Sequence, residues 1–217
     1  MARLKVGVPI SGRGSNMAAL AEACADSAFP AEIVLVLSNE PGAAGLDRAR
    51  DFGIETAVID HRGFAGRAAF DAAVTARLEQ AGVELICLAG FMRLFTAGFV
   101  EHWRNRLLNI HPSLLPAFRG LNTHERALAA GVRLHGCTVH FVRPELDDGP
   151  IVMQAAVPVQ PDDTAESLAD RVLAQEHRIY PAALRLVAEG AVTVEGERVV
   201  YPNGWKNEGR SIDPSLR

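Results

Sequence analysis

The sequence predicts an α/β protein with a Rossmann-like fold, a central, mostly parallel sheet flanked by helices. Three observations carry this. Short apolar runs alternate with helical stretches along the first half of the chain, the order that yields parallel strands joined by crossover helices. Two runs, at 33–37 and 85–89, are apolar on both faces, as a strand covered on both sides must be. The first run ends in a glycine-bearing turn, Ser11-Gly12-Arg13-Gly14-Ser15-Asn16, that opens a helix.

Residues 4–10 form the first strand, and the alanine-rich stretch at 17–25 is the helix after the glycine turn. Strand 33–37 follows, then a loop through Pro41-Gly42, a helix at 45–52 and a strand at 56–59. A helix at 67–81 leads into strand 85–89. The second half is less regular. Strands are expected at 107–110 and 138–142, separated by a loop and a short helix at 124–130. Residues 151–159 read as a longer strand, with Pro158 near its end, where a missing N–H is tolerated. Asp163-Thr164-Ala165-Glu166 has capping-box spacing and opens a long helix. Tyr180-Pro181 should interrupt it, because proline disfavours helical geometry in the residue before it. Residues 192–201 suggest a hairpin turning at Glu195-Gly196, and 203–217 a loosely held polar tail.

The 217 residues are 48% apolar and 22% charged, which excludes a disordered or collagenous chain and suits one large α/β domain. A net charge of −4 leaves no broad basic surface for nucleic acid or anionic membrane. The longest apolar stretches fall far short of a membrane span. Met1-Ala2-Arg3-Leu4-Lys5 runs straight into a strand with no signal-peptide pattern. Cys24, Cys87 and Cys137 are widely spaced, with no CxxC or Cys/His cluster for zinc, and indicate a reducing compartment. The expectation is a cytoplasmic protein without a metal site.

The glycine turn fits two descriptions. It is either a tight βα connection or a phosphate cradle, in which main-chain amides at a helix N-terminus hold a phosphate monoester with Ser15 and Asn16. The third glycine of a dinucleotide fingerprint is absent and no Walker lysine follows, which disfavours NAD and ATP.

The most unusual stretch is Leu107-Leu108-Asn109-Ile110-His111-Pro112-Ser113-Leu114-Leu115-Pro116. An apolar strand ends in Asn-x-His, and strand alternation aims both polar side chains to one face. Pro112 biases His111 towards extended geometry, at the strand end where open α/β sheets collect ligands. Asn109 and His111 could together donate to a developing oxyanion, with His111 also moving a proton. Such a histidine needs a carboxylate to orient it. Asp147 is the candidate, and Asp148 an alternative by chemistry alone.

Taken together, ISGRGSN at 10–16, LAGFMR at 88–93, NIHPSLLP at 109–116, ELDDGPI at 145–151 and QEHRIYP at 175–181 resemble the phosphoribosylglycinamide formyltransferases, or GAR transformylases, among the folate-dependent formyltransferases. The likeness runs in order to about residue 202. It implies a formyltransferase fold over 1–217, with a phosphate-binding half at 1–103, a folate and catalytic half at 104–202 and a tail at 203–217. It also implies transfer of a formyl group from 10-formyltetrahydrofolate, as cosubstrate, to the amine of glycinamide ribonucleotide (GAR), without a metal. Asn109, His111 and Asp147 match the family's catalytic trio. Gly14, Ser15 and Asn16 match its phosphate loop, and Leu173, Ala174, Gln175 and Glu176 its ribose side. Arg67, Met92, Arg93, Leu94 and Phe95 match folate-pocket positions, joined there by Asn109 and by the main chain of Arg143, Pro144, Glu145, Leu146 and Asp147. His140 matches a supporting position near the site.

The expected partners are small molecules, with neither nucleic acid nor membrane, in a monomer or homodimer. Two positions depart from the family pattern. Asn122 replaces a histidine found in some relatives, and Asp148 adds negative charge beside Asp147. The resemblance further implies a cis peptide at Leu115-Pro116, where sequence alone favours trans. A formyltetrahydrofolate hydrolase or a methionyl-tRNA transformylase would be expected to carry a further domain, for which 217 residues leave little room.

Overall fold

The computed structural model describes residues 2–201; the expected tail at 203–217 lies outside the described residues. The first compact unit runs to Asn109 and takes in 141–144. It contains β1 (Leu4–Ile10), α1 (Ser15–Ala25), β2 (Ala31–Ser38), α2 (Ala44–Asp51), β3 (Thr56–Val58), α3 (Arg67–Gln80), β4 (Leu85–Leu88), α4 (Ala97–His102) and most of β5 (Leu107–His111). β1 pairs in parallel with β2 and β4, β2 with β3, and β4 with β5. The alternating pattern of the first half therefore holds, with helix and strand ends within a residue or two of expectation.

Burial explains these elements. Val6, Val8, Ile10, Leu35, Leu37 and Ile86 are fully buried, so the doubly apolar runs are covered on both faces. α1 buries Met17, Leu20, Ala21 and Cys24, the i, i+3, i+4, i+7 stripe of one helix face. α3 lies so close to β1 that a Cβ at Gly7 would meet Leu78 Cδ2 at 2.7 Å. Phe70, Val74 and Leu78 of α3 join Phe99, Val100 and Trp103 in one core with Leu35, Leu37, Ile86 and Leu107. The sequence reading missed α4, six residues whose start is capped by Thr96 Oγ1 accepting from Phe99 N–H. At that length only the cap and the burial of Phe99 and Val100 distinguish it from loop.

The second unit comprises Ile110–His140 and the chain from Glu145. It holds α5 (Thr123–Ala129), most of β6 (Leu134–Phe141), β7 (Ile151–Pro158), α6 (Ala165–Ala188) and a hairpin of β8 (Thr193–Glu195) and β9 (Arg198–Val200). β6 and β7 are antiparallel from Leu134 opposite Pro158 to His140 opposite Ile151. Gly136 is required there, since a Cβ would lie 1.9 Å from the Ala155 carbonyl oxygen. The seven main strands run in the order β3-β2-β1-β4-β5-β6-β7, mostly parallel, and the fold is α/β as expected.

The long helix corrects two expectations. α6 is continuous through Pro181, which sits inside it. A mid-helix proline costs about 3 kcal/mol. Leu168, Val172, Ile179, Tyr180, Ala183 and Leu184 are all buried along one face, and each large apolar side chain contributes roughly 1.5–3 kcal/mol on burial. Tertiary burial thus outweighs the local penalty. The cap is also displaced. Thr164 closes a reciprocal box with Ser167 rather than Asp163 with Glu166. Asp163 instead grips Arg171 in two hydrogen bonds of 2.8 and 2.9 Å, and this contact holds its carboxyl far below the usual range. No helix among the described residues is long and apolar enough to cross a membrane.

Candidate active site

In the first unit the glycine turn is locked from behind. Gly14 takes φ 70 as the residue before α1, and no N-cap side chain bonds to the first turn. Gly45 N–H donates to the Gly12 carbonyl at 2.9 Å. A Cβ on Gly14 would come within 2.7 Å of Gly45 Cα, so the two glycines let the turn rest directly on the start of α2. A cleft of about 430 Å³ opens beside it, lined by Ser11, Gly12, Arg13, Glu40, Gly42, Ala43 and Ala44. Ser15 is half-buried and Asn16 buried at the head of α1.

Residues 91–96 form a second feature of this unit. Met92 and Leu94 are among its most exposed large apolar side chains, while Phe91, Phe95 and Phe99 stack behind them. Arg93 lies over the Phe70 ring, 5.3 Å from its centre. Arg67 is exposed at the start of α3. Arg143 is buried, and its guanidinium is engaged by Asn105 Oδ1 at 3.0 Å and the Val142 carbonyl at 3.1 Å. Pro144, next to it, is exposed.

In the second unit His111 ends β5, only 5% exposed. Its Nδ1 faces Asp147 Oδ1 at 3.4 Å, and its Nε2 lies 3.1 Å from the Phe118 carbonyl oxygen. A carbonyl can only accept, so Nε2 carries the proton of that contact. Nδ1 is the nitrogen turned to the carboxylate. Asp147 adopts φ 46, and its Oδ2 accepts from Gly120 N–H at 2.7 Å.

The loop carrying Phe118 is built on Thr138. That hydroxyl donates to the Ser113 carbonyl at 2.7 Å and accepts from Leu115 N–H and Gln154 Nε2. Leu115-Pro116 is cis, as the family resemblance implied. Behind Phe118 stand His135 and His124, their rings 5.2 Å apart. Burial, reinforced by His124, pushes His135 down to about 4, and burial lowers His124 as well.

Residues 4–184 match the formyl transferase family. The chain belongs to that family. It is 41% identical to the phosphoribosylglycinamide formyltransferase of Escherichia coli over 209 residues, 93% of this chain and 98% of that one. It is 54% identical over 192 residues, 88% of its length, to the trifunctional purine biosynthetic protein adenosine-3 of Gallus gallus, but spans only 19% of that protein. Among solved structures, glycinamide ribonucleotide transformylase 1 from Symbiobacterium toebii superposes with a TM-score of 0.89 at 49% identity, covering 92% of this chain and 94% of that one.

The sequence-derived residues fall into two groups, one in each compact unit. Gly14, Ser15, Asn16, Arg67, Met92, Arg93, Leu94, Phe95, Asn109, Arg143 and Pro144 lie in the first; His111, His140, Glu145, Leu146, Asp147 and the 173–176 turn of α6 lie in the second. The structure brings His111 and Asp147 together, and Asn109 stands two residues before His111 on β5. His140 is 1% exposed on β6. Glu176 is buried, Leu173 and Gln175 half-buried, and Ala174 exposed. The Glu176 charge reaches Cys137, whose thiol is pushed up mainly by burial and further by that carboxylate.

Asp148 does not stand alone beside Asp147, because Arg119 pairs with it at 3.0 Å. Among the described residues no three His, Cys, Asp or Glu side chains are grouped to hold a metal ion. Sequence reasoning missed Gly45, Ser11 and the Phe118 carbonyl. Gly45 carried a usable signal, a second glycine at a helix start. A main-chain carbonyl carries none.

Proposed function

We propose that this chain transfers the formyl group of 10-formyltetrahydrofolate to the amine of 5'-phosphoribosylglycinamide, giving formylglycinamide ribonucleotide and tetrahydrofolate, a step of purine biosynthesis in the cytoplasm. The observation that carries the reading is the His111–Asp147 contact, in a family member whose β5 also presents Asn109. The amine nitrogen attacks the formyl carbon, and the C=O electron pair moves onto oxygen. Asn109 donates to that oxyanion and protonated His111 stabilises it by its charge, a role in which one donor is typically worth about 10²–10³ in rate. Asp147 gives an Nδ1 proton an acceptor, while the Phe118 carbonyl keeps Nε2 occupied. The oxyanion then re-forms the carbonyl, the bond to folate N10 breaks, and the proton lost by the attacking nitrogen reaches N10.

The phosphate is assigned to the first N–H groups of α1 with Ser15 and Asn16. The ribose is assigned to Glu176 and the 173–175 turn, and the folate to Arg67 and the 92–95 segment with main chain from 143–147. No metal is assigned a role. The test supplies 10-formyltetrahydrofolate with and without GAR and follows tetrahydrofolate release. The reading requires release that depends on GAR. Release at the same rate without it would make the chain a hydrolase.

A further inference from the structure

The 91–96 segment and the glycine turn are joined by one side chain to which neither subsite has been assigned. We propose that Ser11 is a positioning residue that couples the two substrate subsites, tying the first residue of the folate-lining segment to the turn that precedes the phosphate loop. The inference rests on the functional reading above for what each subsite holds.

The geometry fixes the direction of every contact. Ser11 Oγ accepts from Met92 N–H at 2.8 Å and donates to Asn39 Oδ1 at 2.6 Å. Asn39 is 2% exposed, and its amide is oriented by the Nδ2 contact to Glu40 Oε1 at 3.3 Å, an atom that can only accept. The single hydroxyl proton of Ser11 therefore goes to Asn39, leaving a lone pair for Met92. Ser11 N–H adds a bond to the Gly90 carbonyl at 3.2 Å. One residue thus joins the end of β1, the end of β2 and the segment after β4, three strand ends of the parallel sheet.

The far end of 91–96 is held separately. Asp71, 4% exposed on α3, accepts from Thr96 N–H at 2.7 Å. Met92 and Leu94 stay exposed on a backbone tied at both ends, which is the state of a surface prepared for an apolar ring. Because Ser11 directly precedes Gly12, ordering of the turn by a phosphate reaches Met92 through one hydroxyl. Linkage then requires each ligand to tighten the other by the same factor.

The experiment measures binding of a folate analogue in which carbon replaces N10, so that no formyl group can leave, with and without saturating GAR. In the wild type GAR is expected to tighten the analogue several-fold. Ser11→Ala should weaken the analogue about tenfold, the scale of one net hydrogen bond, and abolish the tightening by GAR. Ser11→Thr, which keeps the hydroxyl, should restore both. Asp71→Ala should weaken the analogue and leave the tightening intact. Unchanged analogue binding in Ser11→Ala, a wild type without tightening, or tightening that survives Ser11→Ala would each overturn the inference. These outcomes are separate from a wild type that fails to formylate GAR, which would overturn the functional reading instead. A melting temperature within a few degrees of wild type shows that Ser11→Ala remains folded.

Discussion

His111 Nδ1 and Asp147 Oδ1 stand 3.4 Å apart, with Asp147 held in place by its second oxygen on the Gly120 amide. The carboxylate is thus anchored by main chain before any substrate arrives. On the other side of the ring the Phe118 carbonyl sets which nitrogen carries the permanent proton. Replacing His111 by Ala is expected to lower kcat by about 10³-fold or more, combining the loss of a charge that stabilises the oxyanion with that of a proton carrier. The affinity for GAR, measured calorimetrically, should change less than threefold. A matching loss of affinity would make His111 structural.

Asp147→Asn keeps the shape and the contact with Gly120 but removes the charge facing Nδ1. Turnover should fall about 10²-fold, the scale on which a carboxylate next to a catalytic group acts, with melting temperature close to wild type. Asp147→Ala should in addition loosen the 118–120 loop, read as faster proteolysis there.

Gly45→Ala tests the close approach of the glycine turn to α2. The added Cβ would meet Gly14 Cα at 3.0 Å and the Gly12 carbonyl at 3.1 Å, both backbone atoms that must shift together. GAR affinity should drop about tenfold or more, since a displacement of a few tenths of an ångström misdirects the amides at the anion. An affinity equal to wild type would mean that the phosphate is held elsewhere.

His135 provides a pH dependence of stability. Its folded value is lowered from 6.5 to about 4, so between these limits the unfolded chain takes up a proton that the folded chain refuses. Its contribution is fully present above pH 6.5 and is lost as pH falls towards 4, with a slope of at most about 1.4 kcal/mol per pH unit. Denaturant unfolding of His135→Phe between pH 4 and 7 should show a shallower decline than wild type.

Arg119 and Asp148 form an exposed pair, their side chains 41% and 47% accessible. A double-mutant cycle with Arg119→Gln and Asp148→Asn should give a coupling below about 1 kcal/mol. It should vanish near 1 M salt, where charges are screened within about 3 Å. A larger, salt-resistant coupling would indicate a latch on the catalytic loop rather than a surface contact.

Much of this was readable in the sequence. Parallel strands buried on both faces leave long apolar runs, and crossover helices leave 3.6-residue stripes, so 33–37, 85–89 and 17–25 identified themselves. Asn109 and His111 stood out as candidates because Asn-x-His-Pro at a strand end is local and unusual, whereas the choice of Asp147 over Asp148 came from the family resemblance. Pro181 misled for the same reason: its signal is local, whereas the burial of Tyr180, Ile179 and Leu184 that overrides it is not.

The sequence by itself determined the order of the main strands and crossover helices and the candidate residues for the site. These follow from side-chain periodicity and residue type, which any window of the chain contains. The tertiary structure decided how that inventory is held. It set Gly120 on Asp147, the Phe118 carbonyl on His111, Arg119 on Asp148 and Ser11 on Met92. These contacts join residues 7 to 81 positions apart, three of them through main-chain groups that every residue carries alike. Only the folded chain, in which packing has already fixed the backbone, can choose among such equivalent partners.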